Sequence, residues 1–148
     1  MNEEEHRFVE RMGRHFEEEG IPRIGGRLYG FLLLQEEPQS LDRMTEHLRV
    51  SKTSVSTNAR LLDQWGLVQR VTRPGDRRDY YEAAPDQTRT LEFRLRHIRE
   101  MGDLLADAAH GFEDRPGLHA RLAQMRRFNA EALTLLEQLL ESWRAQTP

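Results

Sequence analysis

Between Ser51 and Arg78 the chain gathers groups that donate to and accept from a polyanion. Ser51, Lys52, Thr53, Ser56, Thr57 and Arg60 fall close together, and Arg73, Arg77 and Arg78 follow in the run Arg73-Pro74-Gly75-Asp76-Arg77-Arg78. Hydroxyls and amides bond base edges in the major groove of DNA, where arginine favours guanine. Arginines on a hairpin tip suit the narrow, electronegative minor groove. A polar helix face alone is usually only solvated, and the arginine-bearing hairpin beside it is what turns the expectation toward DNA. In that scheme Asp76 is a brace that orients Arg78 by a short ion pair, not an acid catalyst.

These groups need a particular frame. Ser51 is placed to cap a helix, and at about 100° per residue Val55, Ala59 and Leu62 fall in one narrow arc that must face a core. The opposite arc carries Thr53, Thr57, Arg60 and Gln64, flanked by Ser56 and, in the first turn, Lys52. Upstream, Pro38-Gln39-Ser40 breaks the chain and Ser40 can cap a short helix with Leu41, Met44 and Leu48 on one face. The turn at Arg49-Val50 then joins two short helices as a helix-turn-helix. Downstream, Gly66 stops the helix, and Leu67–Thr72 and Asp79–Ala84 read as two strands around the arginine turn.

The flanks read as helix. The first helix is expected over Glu3–Glu19, capped by Asn2 and apolar at Phe8, Val9, Met12 and Phe16. A second, about Pro22–Gln35, buries Ile24, Leu28, Phe31 and Leu32 while carrying Gly25, Gly26 and Gly30. Each internal glycine costs about 1 kcal/mol of helix propensity, so close backbone packing is the expected compensation. Helical pattern resumes over Asp86–His110 and, after a break at residues 113–117, over Leu118–Arg144. That last helix places Leu118, Leu122, Met125, Asn129, Ala132, Leu136, Leu139 and Trp143 at alternating spacings of four and three, a coiled-coil seam. Leu133 and Leu140 widen it, so the helix must bury two surfaces, and a homodimer through the terminal helices is expected. Asn129 is either a register device in that seam or an amide bonded to backbone.

Composition limits the alternatives. A net charge of −3 over 148 residues looks unsuited to nucleic acid, but residues 51–85 carry six basic residues against four acids, while residues 1–50 carry seven against eleven and residues 86–148 nine against ten. The basic excess is local, which predicts a focused patch with few phosphate contacts. The absence of cysteine excludes disulfides, thiolate nucleophiles and cysteine-zinc sites. The longest apolar run, Phe31–Leu34, is too short to cross a bilayer, and a cytoplasmic location without membrane partners is expected. No Gly-x-Ser-x-Gly, phosphate-binding glycine loop or cofactor fingerprint is present, so neither enzyme activity nor a cofactor is expected. Asp103, Asp107 and His110 share a helical face, for which a solvated stripe is preferred over a metal site. Tyr29, Phe31, Trp65, Tyr80, Tyr81 and Phe93 are candidates for an aromatic cage, although aromatics at these spacings are more often core.

The stretch Leu48-Arg49-Val50-Ser51-Lys52-Thr53-Ser54-Val55-Ser56, with Leu61-Leu62, Trp65-Gly66-Leu67-Val68 and Asp76-Arg77-Arg78, resembles the winged helix of MarR-type transcriptional regulators. The earlier run from Gly20 to Gly30 resembles their GbsR-like branch. The resemblance implies a mainly α fold with a small β-hairpin wing: a helix supporting dimerisation over residues 1–20, a winged helix-turn-helix over 21–85 and a helical dimerisation region over 86–148. It implies a homodimeric repressor reading double-stranded DNA with its aspartate-arginine wing in the minor groove, and makes a choline-like small-molecule effector imaginable. A winged helix used only to dock proteins is the alternative, but it would need neither the hydroxyl-rich face nor Arg77 and Arg78. One departure stands out: Arg49 sits where such turns commonly carry glycine, and a left-handed backbone there would cost about 1 kcal/mol.

Overall fold

Asn2 begins the first helix, α1 (Glu3–Glu18), through reciprocal bonds: its Oδ1 accepts from the Glu5 backbone at 2.9 Å, and the Glu5 carboxylate accepts from the Asn2 backbone at 2.7 Å. The structure, a computed structural model, describes residues 1–146. Gly20, with φ +80°, closes α1. The Ile21 backbone then reaches back to the Phe16 carbonyl at 2.9 Å, satisfying a carbonyl the helix leaves open. Val9, Gly13 and Phe16 form the buried face, whereas Phe8, expected beside them, stays exposed.

Helix α2 (Arg23–Leu33) lies against α1 along a seam of small residues. A Cβ on Gly26 would stand 2.6 Å from the Met12 carbonyl oxygen and 2.7 Å from the Phe16 Cβ. No side chain fits there, which is the close backbone packing that the glycine-rich sequence called for. The opposite side of α2 supplies Leu28, Phe31 and Leu32 to the core, joined by Met44, Leu48, Val55, Ala59, Leu62, Val68 and Tyr81. Burying each such side chain contributes about 1.5–3 kcal/mol, more than the glycines cost in propensity.

The helix-turn-helix consists of α3 (Leu41–Leu48) and α4 (Lys52–Gln64). Ser40 and Ser51 cap them by accepting from the backbones of Arg43 and Ser54. Arg49 adopts the left-handed conformation (φ 53°, ψ 46°), so the turn keeps the backbone that glycine would favour and the arginine bears the strain. Strands β2 (Val68–Val71) and β3 (Tyr80–Ala83) pair antiparallel, Val68 opposite Ala83 and Val71 opposite Tyr80. A third strand, β1 (Gln39–Ser40), pairs with β3 through Gln39 opposite Tyr81 and gives the order β1-β3-β2. The sequence predicted only a chain break there, because two residues show no alternation.

Residues 1–87 form one unit and the chain from Thr88 onward another. The second is an antiparallel pair, α5 (Thr88–Gly111) and α6 (Pro116–Gln146), closed around Leu95, Leu105, Ala109 and Leu140. Arg99 pairs with Glu137 at 2.6 Å and Arg144 with Glu92 across it. Among the described residues, no helix is long and apolar enough to cross a membrane.

Two substitutions test this packing. Gly26→Ala should cost about 1–3 kcal/mol in urea unfolding, because the backbone and a Cβ already occupy the space it needs. Arg49→Gly should gain about 1 kcal/mol by relieving the left-handed arginine, and an unchanged midpoint would show that the turn carries no strain.

Candidate nucleic-acid interface

Because Val55, Ala59 and Leu62 are fully buried, the periodicity of α4 leaves only one face outward. Lys52, Thr53, Thr57, Arg60 and Gln64 are exposed on it, and Ser56 is half-buried at its edge. The Ser51 hydroxyl oxygen is engaged as the cap and also meets the Ser54 hydroxyl at 3.1 Å. Lys52 is anchored to Asp42 of α3, Nζ to Oδ1 at 2.7 Å. Arg60 donates from Nε to the Ser56 carbonyl at 3.3 Å, keeping its guanidinium along the helix surface.

Asp76 organises the wing. Its Oδ1 accepts from the Arg78 backbone at 2.9 Å, and both its oxygens accept from the Arg78 guanidinium, Nε at 3.0 Å and Nη2 at 2.7 Å. The Tyr80 hydroxyl donates to Oδ2 at 2.8 Å. The Arg78 side-chain bonds, then its backbone N–H, then the Tyr80 hydroxyl hold the Asp76 carboxyl well below the usual carboxylate range. Arg73 lies over the Tyr80 ring, 4.2 Å from its centroid, with Nη2 3.5 Å from the Pro38 carbonyl and 3.9 Å from Glu37. Tyr80 therefore ties both wing arginines to β3, a role the sequence did not show. Its position four residues beyond Asp76, at the start of a strand, was the available signal.

The six cations of residues 51–85 fall into two groups in the structure. Lys52, Arg70, Arg73 and Arg78 have acidic partners, with Arg70 held by Asp79 at 2.5 Å. Arg60 and Arg77 are exposed and form no ion pair with any described residue. The guanidiniums of this stretch without an acidic partner among the described residues are thus one on α4 and one on the wing.

Other candidates are placed elsewhere. Phe31 and Tyr81 are core residues, Tyr29 and Trp65 pack against that core, and Tyr80 belongs to the wing, so these rings are not free to wall an aromatic cage. Phe93 stacks on His97 at 4.3 Å. Asp103, Asp107 and His110 are exposed, and His110 faces Glu113 at 3.4 Å.

On α6, Leu118, Leu122, Asn129 and Leu136 are half-buried, while Met125, Leu139 and Trp143 are exposed. Asn129 abuts Gly102 of α5 in its own chain, so it does not sit in an outward-facing seam. Phe128 and Leu135, 75% and 66% exposed, extend the outward apolar stripe that Met125 and Leu139 begin. Strict four-three spacing passes over both of them.

The MarR family model matches residues 30–79, from within α2 to the wing. The HTH-type transcriptional regulator MmpR5 of Mycobacterium tuberculosis is 38% identical over 122 residues, spanning 80% of this chain and 74% of MmpR5. The HTH-type transcriptional repressor GbsR of Bacillus subtilis is 36% identical over 67 residues, 45% of this chain and 37% of GbsR, a short match consistent with the GbsR-like run before α3. A crystal structure of a transcriptional regulator matches with a TM-score of 0.90 at 32% identity, covering 97% of this chain and 99% of that one. The chain belongs to the MarR family of transcriptional regulators.

Proposed function

We propose that the protein is a homodimeric repressor that reads an inverted-repeat operator, with α4 in the major groove and the wing in the minor groove. The observation that carries this is the outward face of α4, with Thr53, Thr57, Arg60 and Gln64 presented by one unit that also holds Arg77 uncommitted on its wing. Thr57 and Arg60 are assigned to base edges, Lys52, Thr53 and Ser56 to the flanks of that contact, and Ser51 to backbone phosphate beside its cap. Arg77 is assigned to the minor groove, with Arg73 and Arg78 held in position beside it and Asp76 as the brace.

The dimer is supported by the apolar stripe of Met125, Phe128, Leu135, Leu139 and Trp143, which α5 leaves uncovered. Leu118, Leu122 and Leu136 border it, and Asn129 packs within the subunit. Two-fold symmetry would set the recognition helices roughly 34–36 Å apart, one DNA turn. A small molecule that favours one dimer shape would tune affinity by its differential binding. A cytoplasmic location accords with that role.

Sequencing of DNA fragments selected by the purified protein should return a palindrome, and recovery of unrelated fragments would reject sequence-specific reading. Arg77→Ala should weaken all sequences alike and lower the salt slope by about 1 per subunit, whereas Thr57→Ala or Arg60→Ala should change base preference. Glutamate at Phe128 and Leu135 together should yield monomers in sedimentation experiments, with helical content retained and operator affinity lost; a persisting dimer would place the interface elsewhere.

Asp76 sets the pH behaviour of the wing. Its folded pKa is depressed, so the brace contributes fully above the ordinary carboxylate pKa and is lost only as pH falls through the lower folded value. The Arg78 Nε–H resonance should therefore be constant between about pH 5 and 8 and shift only in stronger acid. Asp76→Asn should move it at every pH.

A further inference from the structure

Leu41, at the start of α3, is half-buried and packed against the core, yet it shares a surface depression with the outward residues of α4. With Lys52, Thr53, Ser56 and Arg60 it lines an open space of about 290 Å³. Both charged side chains on the rim are engaged, Lys52 Nζ with Asp42 at 2.7 Å and Arg60 Nε with the Ser56 carbonyl at 3.3 Å. Leu41 is the only lining residue whose side chain is wholly apolar.

We infer that this depression seats the C5-methyl group of a thymine, which makes Leu41 a specificity-determining residue for the operator. The inference rests on the proposed placement of α4 in the major groove. Among the groups that base pairs present there, the thymine methyl is the apolar one. A base donor or acceptor set against Leu41 would lose water without gaining a partner. A phosphate would meet the Asp42 carboxylate beside Lys52. Small-molecule pockets enclose about 300–1,000 Å³ and bury most of their ligand, whereas this space is smaller and open, which suits the edge of a base. Because Arg60 shares the rim, the thymine belongs to the base step beside the pair that Arg60 reads.

Replacing thymine with deoxyuridine removes that methyl and nothing else. In the selected palindrome, thymines are replaced one position at a time in both half-sites, and affinity for the full wild-type chain is read by fluorescence anisotropy. Replacement at the step beside the pair whose preference Arg60→Ala changes should weaken binding about tenfold, as expected for two buried methyl groups. Leu41→Ala should bind the thymine and deoxyuridine duplexes equally and keep the wild-type salt slope, whereas Leu41→Met should retain the thymine preference. The scan of the wild-type chain decides the matter even where a variant fails to fold. A half-site without thymine at that step, indifference to deoxyuridine there, or an undiminished thymine preference in Leu41→Ala would overturn the methyl pocket and leave the palindrome standing. Recovery of no palindrome would instead remove the placement of α4, and the pocket with it.

Discussion

Burial of Val55, Ala59 and Leu62 fixes how the molecule can present itself. Once that arc of α4 is seated, helical periodicity leaves Thr53, Thr57, Arg60 and Gln64 outward. The seat depends on α2, which approaches helices on two sides because it lacks side chains at the crossings. Gly26 and Gly30 meet Met12 of α1, whereas Gly25 meets Asn58 of α4, whose Oδ1 would lie 3.1 Å from a Cβ. A helix with three internal glycines is poor by propensity, yet here it is the element around which the DNA-binding unit is packed.

An ionic link reinforces the same arrangement. Glu10 of α1 lies 2.7 Å from the Arg27 Nε and 2.9 Å from the Arg23 Nη2, and Arg27 donates from Nη2 to the Leu48 carbonyl at 3.0 Å. Burial pushes the Glu10 carboxyl up, but the two arginines outweigh it and hold its pKa below the ordinary value. Arg27 thereby bonds the last carbonyl before left-handed Arg49, at the end of α3. The turn that sets the start of α4 is thus tied to α1 by one side chain.

Much of this was legible because local rules and tertiary packing agree. Ser51 starts α4, Gly66 stops it, and the contact between Asp76 and Arg78 spans two residues, so periodicity and short-range geometry suffice. What escaped the sequence depends on distant partners. Arg73 looks free until folding brings Pro38 beside it, and β1 exists only because β3 passes next to Gln39 and Ser40. Asn129 falls on the four-three repeat of α6, but the opening at Gly102 in α5 decides that it turns inward. Phe128 and Leu135 escaped for the complementary reason: the repeat identifies one apolar line, whereas α6 carries a second that α5 leaves exposed.

The distribution of charge shapes how such a protein must select its site. Four of the six cations in residues 51–85 are partnered within the chain, so they position side chains more than they attract phosphate. With a net charge of −3 there is no general field to hold the protein on arbitrary DNA. In the proposed operator complex, few released counterions would mean weak non-specific binding, and affinity would rest on hydrogen bonds that only the correct bases complete. In the proposed two-fold assembly each such contact occurs twice, and neither half-site suffices alone. A subunit with sparse free charge is therefore suited to discrimination by paired half-sites.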